Sequence, residues 1–276
     1  MGRLRAWGVR GSVPVSGDAF LRYGGHTTCF EIESNSGDIV ILDAGTGLPL
    51  LGKTLIKRKI PQMTLLLTHL HLDHLFGFPF FSPLYRSETT LQIGGYWGWQ
   101  KSPLALIQDL ITPPFFPIGF EHFKATITEL PLSSNPFKVG NIDISTIPIS
   151  HPGCGLGYRF SENGHSIAVL TDNELGFVHP NGKLLDDYVA FVTGCNLLIH
   201  DAEYTPQDYV SKKGWGHSTF SQVTDLAIRA GIPKVGFVHH NHDRTDAQLD
   251  RLIQNQQRQV KGQVHCFGVR PGEWLR

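Results

Sequence analysis

The chain has 276 residues, of which 41% are hydrophobic and 17% charged, a balance typical of a folded protein with a sizeable core. Its 24 basic and 24 acidic side chains cancel, which disfavours a long nucleic acid as a partner because no net positive charge attracts it. No stretch is long and apolar enough to span a membrane, and the opening residues lack the apolar core of a signal peptide, so we predict a cytoplasmic protein without a membrane partner.

The first elements in chain order are short strands separated by glycine and proline turns. Residues 4–9, 27–32 and 38–43 have the hydrophobic patterns of strands, and a short helix is expected at 48–57. The apolar run 63–67 then has the composition of a buried strand.

That buried strand is followed by four potential metal ligands within six residues, His69, His71, Asp73 and His74. Side chains alternate along an extended backbone, so the first three can point the same way. A lone histidine after a strand is usually an ordinary hydrogen-bonded residue, but burying four such groups without partners is costly. Because one metal takes only three or four ligands, and other candidates follow in the chain, we predict two adjacent metals.

The middle of the chain is rich in aromatic residues and proline. Residues 75–81 predict either the wall of a pocket beside the metals or plain core packing. Residues 96–120 predict an irregular insertion around a helix at 102–110, which serves as a lid, an association surface or a layer packed on the body. Its apolar surface makes a homodimer one expected assembly.

The second half repeats the pattern of strands that end in polar residues. Strands of a second sheet are expected at 125–130, 137–139 and 142–148, and further strands at 155–160, 166–170, 196–199, 234–238 and 264–269. Helices are expected at 184–191, 220–230 and 246–259. The whole pattern predicts one α/β domain over residues 1–276, built from two sheets with outer helices.

Several of these strands are followed directly by residues that can bind metals. His151 precedes a Pro-Gly turn, Asp172 ends the 166–170 strand, and His239 ends the 234–238 strand. His240 is the reserve candidate for the late ligand. Asp172 suits a bridging position because a carboxylate has two oxygens to share.

The H-x-H-x-D-H spacing resembles the signature of the metallo-β-lactamase superfamily, and the resemblance runs roughly from residue 10 to residue 246. It implies a four-layer αβ/βα sandwich and a dinuclear site. Asp43 matches a structural Asp-x-Gly of that superfamily and is expected to brace the site without binding metal. The implied ligands, for Zn²⁺ or alternatively Mn²⁺ or iron, are His69, His71, Asp73, His74, His151, Asp172 and His239.

Two further segments resemble the tRNA 3′-processing endonuclease (RNase Z) branch. Residues 198–202 are similar to its His-Glu-Ala-Thr motif, with Asp201 in place of the glutamate, and 216–219 are similar to its His-Ser-Thr motif. The implied acid–histidine pair is Asp201 and His217. The basic arm with which RNase Z enzymes hold tRNA has no counterpart, since residues 96–120 are poor in Lys and Arg.

These observations predict a metal-dependent phosphodiesterase that acts on a small or cyclic phosphodiester through a metal-bridging hydroxide. Asp73 would orient the hydroxide, and His217, held by Asp201, would protonate the leaving oxygen. The alternatives are an ester, thioester or lactam hydrolase of the same superfamily, an RNase Z-like RNA nuclease, and a metal-binding module without catalysis.

Overall fold

The computed structural model describes residues 2–96 and 101–276 of the chain. Trp97 and Trp99, which belong to the predicted insertion, lie outside that part. The described strands begin with β1 (Arg3–Gly8), β2 (Cys29–Glu33), β3 (Ile39–Leu42), β4 (Gln62–Leu67), β5 (Thr90–Gly95) and β6 (Thr126–Glu129). They continue with β7 (Phe137–Val139), β8 (Ile142–Pro148), β9 (Leu156–Glu162), β10 (His165–Leu170), β11 (Leu197–Asp201), β12 (Lys234–Val238), β13 (His265–Gly268) and β14 (Trp274–Leu275).

These strands form two mixed sheets of seven among the described residues. The first has the order β14-β1-β2-β3-β4-β5-β6 and the second the order β13-β12-β11-β10-β9-β8-β7. In the first sheet β3 to β6 run parallel. In the second sheet β10 to β13 run parallel. Strands β8, β9 and β10 alternate in direction, so β8 has the same direction as β10. The ends of the parallel strands therefore gather at one edge of each sheet.

Six α-helices lie within the described ranges: α1 (Leu48–Lys57), α2 (Pro103–Leu110), α3 (Leu185–Val192), α4 (Pro206–Lys212), α5 (Phe220–Arg229) and α6 (Asp246–Gln259). The buried side chains separate into three hydrophobic cores. One core joins the two sheets, a second packs α3, α5 and α6 on the second sheet, and a third packs α1 and α2 on the first. Three cores between four layers define the predicted αβ/βα sandwich.

The predicted elements agree with the structure except in three places. Strand β6 was expected in the second sheet, and that prediction was wrong because β6 pairs in parallel with β5, with Thr90 opposite Thr126. Local hydrophobicity specifies a strand but not its neighbour, and α2 provides the crossover that a parallel pair requires. Helix α4 and the two-residue strand β14 were not predicted. Helix α4 begins with a capping box in which Thr205 and Asp208 bind each other's backbone N–H groups.

The described part of the predicted insertion is partly packed on the body and partly exposed. Leu104, Ile107 and Ile111 pack in the core against the first sheet. Phe115 by contrast is 80% exposed. No described helix combines the length and the apolar character that crossing a bilayer requires.

A fully buried arginine joins the two halves of the sandwich. Arg10 follows β1, and its guanidinium donates to the carbonyls of Gly24, Asn241 and Arg244. Burial lowers the pKa of Arg10 to about 10, with Asp246 opposing, so the side chain stays protonated at neutral pH. It thereby fixes the start of the chain against the loop that follows β12.

Arg10→Ala is expected to lower the free energy of unfolding by about 3–5 kcal/mol, because three carbonyls lose their donor and a buried cavity forms. Arg86→Ala is the matched control, since Arg86 pairs with Glu88 at the surface, and it should cost about 0–1 kcal/mol. Urea denaturation at constant m-value measures both. Equal losses in the two variants would contradict the joining role of Arg10.

Candidate metal centre

The strand ends that carry the predicted ligands meet in one place. Strand β4 leads into the segment from His69 to His74, β8 into His151, β10 into Asp172 and β12 into His239. All of these strands run in a common direction within their sheets. The two sheets face each other, so their carboxyl ends bring polar side chains from distant parts of the sequence together.

The candidate ligands form two adjacent groups, in each of which the ligand atoms lie within 4.8 Å of one another. The first group consists of His69, His71 and His151. The second consists of Asp73, His74, Asp172 and His239.

Asp172 lies between the two groups. Its Oδ1 is 3.3 Å from Nε2 of His74, and its Oδ2 is 3.2 Å from Nε2 of His239. The same Oδ2 is 3.7 Å from Nε2 of His69 and 4.0 Å from Nε2 of His151. One carboxylate therefore faces ligand atoms of both groups, as a bridging ligand must.

Hydrogen bonds from the first sheet orient two of the histidines. Nδ1 of His74 lies 2.8 Å from Oδ2 of Asp43. The Thr68 hydroxyl donates to Asp43 as well, and Nδ1 of His69 lies 3.1 Å from that hydroxyl oxygen. A hydroxyl that donates to a carboxylate accepts from the imidazole, so each ring turns its Nε2 inward. Asp43 thus lies behind the ligands, where the sequence predicted a bracing residue.

The second sheet orients two more histidines in the same manner. Nδ1 of His151 lies 3.0 Å from the carbonyl oxygen of Gly216, and Nδ1 of His239 lies 3.0 Å from Oε2 of Glu203. Metal-binding histidines are usually held by such a contact at the other ring nitrogen, because it fixes the tautomer and the ring orientation.

The inward nitrogens of three buried histidines lack a hydrogen-bond partner among the described residues: Nε2 of His69, of His74 and of His239. Orphaned buried polar atoms are costly unless something else binds them. Burial disfavours the charged form of His74 and His239, yet Asp172 and the other carboxylates around them together outweigh it and raise both pKa values well above the usual range. The cluster therefore requires positive charge, and the residues fit divalent metal ions.

Three residues around the centre have left-handed backbone conformations that are uncommon outside glycine. The φ angles are 63° at Asp43, 54° at Asp172 and 54° at His239. Asp43 and His239 directly follow a strand and Asp172 follows one after a single residue, and the left-handed turn carries each side chain out of the alternation of its strand. Such strained conformations concentrate at functional sites, so their coincidence here supports a site.

The predicted acid–histidine pair adjoins the second group of ligands. Nδ1 of His217 lies 3.0 Å from Oδ2 of Asp201, and its ring stacks on that of His239 at 4.5 Å. Burial favours the neutral imidazole, but Asp201 and Glu203 together outweigh it and raise the pKa of His217. His217 is also close enough to His151 and Asp172 to count as a potential ligand.

The late histidines separate clearly in space. His239 belongs to the second group, whereas His240 points the other way, with Nε2 3.4 Å from the carbonyl oxygen of Val269 and its ring against Tyr23. The side chain of His242 is 36% exposed and faces Asp243. The structure therefore offers His239, and not the reserve candidate, to a metal.

Glu203 was missed by the sequence reasoning. Its carboxylate accepts from Nδ1 of His239 and from the amide of Asn241, and it lies 3.5 Å from Nε2 of His217. Burial opposes its ionisation, but the bond from His239 and the charge of His217 lower its pKa to about 2. Its position two residues after Asp201 in an extended segment was the available signal, since alternate residues share a face.

Glu174 is a second residue that no sequence pattern singled out. Its buried carboxylate accepts from the hydroxyl of Tyr209 and the backbone N–H groups of Gly214 and Gly216, and lies 3.0 Å from Nε2 of His179. These bonds fix the loop whose Gly216 carbonyl in turn holds the imidazole of His151. Glu174 thus positions a candidate ligand from a distance.

The comparisons identify the class of protein that has this arrangement. The sequence profile of the family described as Beta-lactamase superfamily domain matches residues 39–240, most of the chain. The chain belongs to that superfamily, whose fold implies divalent metal binding. The predicted resemblance is thereby confirmed.

The curated relatives indicate which branch of the superfamily this chain resembles. Ribonuclease Z of Lactococcus lactis subsp. lactis (strain IL1403) is 25% identical over 268 residues, which cover 80% of this chain and 84% of the relative. Ribonuclease Z of Oceanobacillus iheyensis is 24% identical over 274 residues, covering 79% of this chain and 83% of the relative. These relatives confirm the RNase Z-like branch.

Solved structures share the fold along nearly the whole chain. The metallo-β-lactamase fold protein YhfI from Bacillus subtilis superposes with a TM-score of 0.71 at 16% identity, covering 99% of this chain and 98% of that one. A diphosphatase from the PhnP family superposes with a TM-score of 0.68 at 18% identity, covering 99% of this chain and 97% of that one. Identities this low establish the common fold alone.

Asp172→Ala is expected to remove at least one of about two bound zinc equivalents, because one carboxylate serves both ligand groups. The control is Asp186→Ala, which removes a carboxylate that is 84% exposed and paired with Arg229 at the surface. Inductively coupled plasma mass spectrometry after zinc loading and gel filtration measures the stoichiometry. If both variants retain as much zinc as the unmodified protein, Asp172 has no ligand role.

Glu174→Gln is expected to weaken zinc affinity about 10–100-fold, because the amide offers a donor where the carboxylate accepted and the loop behind His151 shifts. Glu121→Gln, at an exposed carboxylate, should leave the affinity unchanged. Competition with a chromogenic chelator measures both, and circular dichroism verifies folding. A folded Glu174→Gln variant with normal affinity would show that the loop is held by other contacts.

Proposed function

We propose that this protein is a metal-dependent phosphodiesterase that acts on a small or cyclic phosphodiester. The observation that carries the proposal is the Asp201–His217 pair in contact with two adjacent groups of ligand side chains. Two metals suit a reaction in which charge develops on several phosphoryl oxygens, and the pair suits a leaving group that needs a proton.

The candidate ligands would hold two metal ions. One divalent ion would be held by His69, His71 and His151, the other by Asp73, His74 and His239, with Asp172 shared between them. Zn²⁺ suits these nitrogen and oxygen donors, as do Mn²⁺ and iron. When bound, such ions supply an ionised water at neutral pH and offset the charge of the phosphoryl group.

The remaining steps belong to the side chains. Asp73 accepts a hydrogen bond from the attacking water and orients it, while its Oδ2 is itself fixed by the backbone N–H of Ser12 at 3.1 Å. Nε2 of His217 donates its proton to the leaving oxygen. Asp201 holds Nδ1 of the same ring and stabilises the imidazolium before the transfer.

A small substrate is favoured by the balance of charges, since the chain carries no net charge to hold a polyanion. A diphosphatase is among the proteins with this fold.

The second candidate function is RNA cleavage, because the curated relatives are ribonucleases Z at about a quarter identity. The deciding comparison is the kcat/KM of the zinc-loaded protein for cyclic dinucleotides and nucleoside cyclic phosphates, for a structured RNA transcript, and for thioester and lactam panels. Faster turnover of RNA or of an acyl substrate would displace the proposal.

His217→Ala is expected to slow hydrolysis of a diester with an alkoxide leaving group by about 10²–10⁴-fold, because that leaving oxygen needs a proton. Hydrolysis of bis(p-nitrophenyl) phosphate should fall far less, because p-nitrophenolate leaves without one.

The matched control is His122→Ala, at a surface histidine whose side chain is 57% exposed, and it should change neither rate. Zinc stoichiometry is measured in parallel. Equal losses on both substrates together with lost zinc would make His217 a ligand instead of a proton donor.

A further inference from the structure

An apolar pocket of about 330 Å³ lies next to the chain segment that carries four of the candidate ligands. Its floor consists of buried side chains of α2 and the segment after the ligands, among them Leu75, Phe78 and Ile107. None of the described residues that line it carries a charge or a polar side chain. The pocket can therefore accept only an uncharged, apolar group.

The pocket and the candidate centre share one segment of the chain. Leu72 stands at the pocket rim and is the residue between His71 and Asp73 in the chain. Among the seven candidate ligands, all of which lie in the described part of the chain, His71 is the one that is exposed. The centre is therefore accessible to solvent at His71, and the next residue, Leu72, lines the pocket.

The rim of the pocket exposes large apolar side chains. Leu72 is 50% exposed, Phe80 is 62% exposed and Phe115 is 80% exposed. A bound apolar group would remove this surface from water, with a gain that grows with the area covered. A dry cavity of about 150 Å³ holds benzene, so this pocket has room for an aromatic ring or a short alkyl chain.

We propose that this pocket binds an apolar alkyl or aryl substituent of the phosphodiester, and so selects substrates in which one ester arm is apolar. The inference rests on the proposed function, because it assigns the second ester arm of the substrate that the centre hydrolyses. The phosphodiester group lies at the polar centre, and the apolar arm passes Leu72 into the pocket. Shape and apolar contact, without a charged group, then provide the selectivity.

The test compares p-nitrophenyl methyl, hexyl and benzyl phosphates with zinc-loaded protein. The three share a leaving group and a charge and differ in the apolar arm. The expected kcat/KM for the hexyl or the benzyl ester is at least about tenfold above that of the methyl ester. Whichever of the hexyl and benzyl esters has the higher kcat/KM shows whether the pocket prefers an alkyl or an aryl arm. A ratio near one overturns the inference while the proposed function stands.

Leu110→Trp is the variant that fills the pocket, since Leu110 ends α2 and lines it while half-buried. It is expected to bring the hexyl-to-methyl and benzyl-to-methyl ratios toward one. Val210→Trp is the matched control at a residue of α4 that is 85% exposed, and it keeps the ratios. If Leu110→Trp does not fold, Phe80→Ser removes part of the rim and is expected to lower the same ratios. An unchanged ratio in the folded variant overturns the inference.

Binding of 1-anilinonaphthalene-8-sulfonate, followed by its fluorescence, tests the pocket without turnover. Leu110→Trp is expected to weaken this binding at least about tenfold, and Val210→Trp to leave it unchanged. If no diester is hydrolysed, the proposed function fails. Binding of the probe still shows whether the pocket holds an apolar group. If Leu110→Trp binds the probe normally, or abolishes a dimer of this chain in sedimentation while the ester ratios stay near one, the inference is overturned.

Discussion

Hydrogen bonds at the Nδ1 atoms of buried histidines are the constraint on which the rest of the structure depends. Asp43 holds His74, and Glu203 holds His239. Each bond fixes a ring so that its Nε2 faces a space shared with other nitrogens and with the carboxylate of Asp172. Packing several polar groups there is unfavourable unless a cation binds between them. The fold therefore holds these side chains in positions that a metal ion stabilises.

The architecture makes that arrangement feasible. Parallel strands end at a common edge, and two sheets packed face to face bring two such edges together. A left-handed residue at the end of β10 and another at the end of β12 turn Asp172 and His239 toward the ligands from the other sheet. The hydrophobic cores below the edge are closely packed, and they resist relaxation of these strained turns.

The surroundings of the centre are chemically unequal. On one side Asp201 and His217 form a buried polar pair, backed by the loop that Glu174 fixes. On the other side Leu72 opens onto a pocket of aliphatic and aromatic side chains. A diester has two ester arms with different needs, because the leaving oxygen requires a proton and the retained arm requires only a fitting surface. In the proposed function, the two sides of the centre would serve these two needs.

The sequence by itself determined the elements and most of the candidate ligands, because strand hydrophobicity and the residues just after a strand are local properties. The cluster from His69 to His74 is the strongest case, since its spacing alone indicates metal binding. The tertiary structure decided what depends on neighbours. The turn after β12 places His239, and not His240, beside the other candidate ligands. Strand β6 lies in the first sheet. Glu174 contacts a loop 40 residues away in the sequence. The tertiary structure also formed the apolar pocket, whose lining comes from separate segments that no local pattern could join.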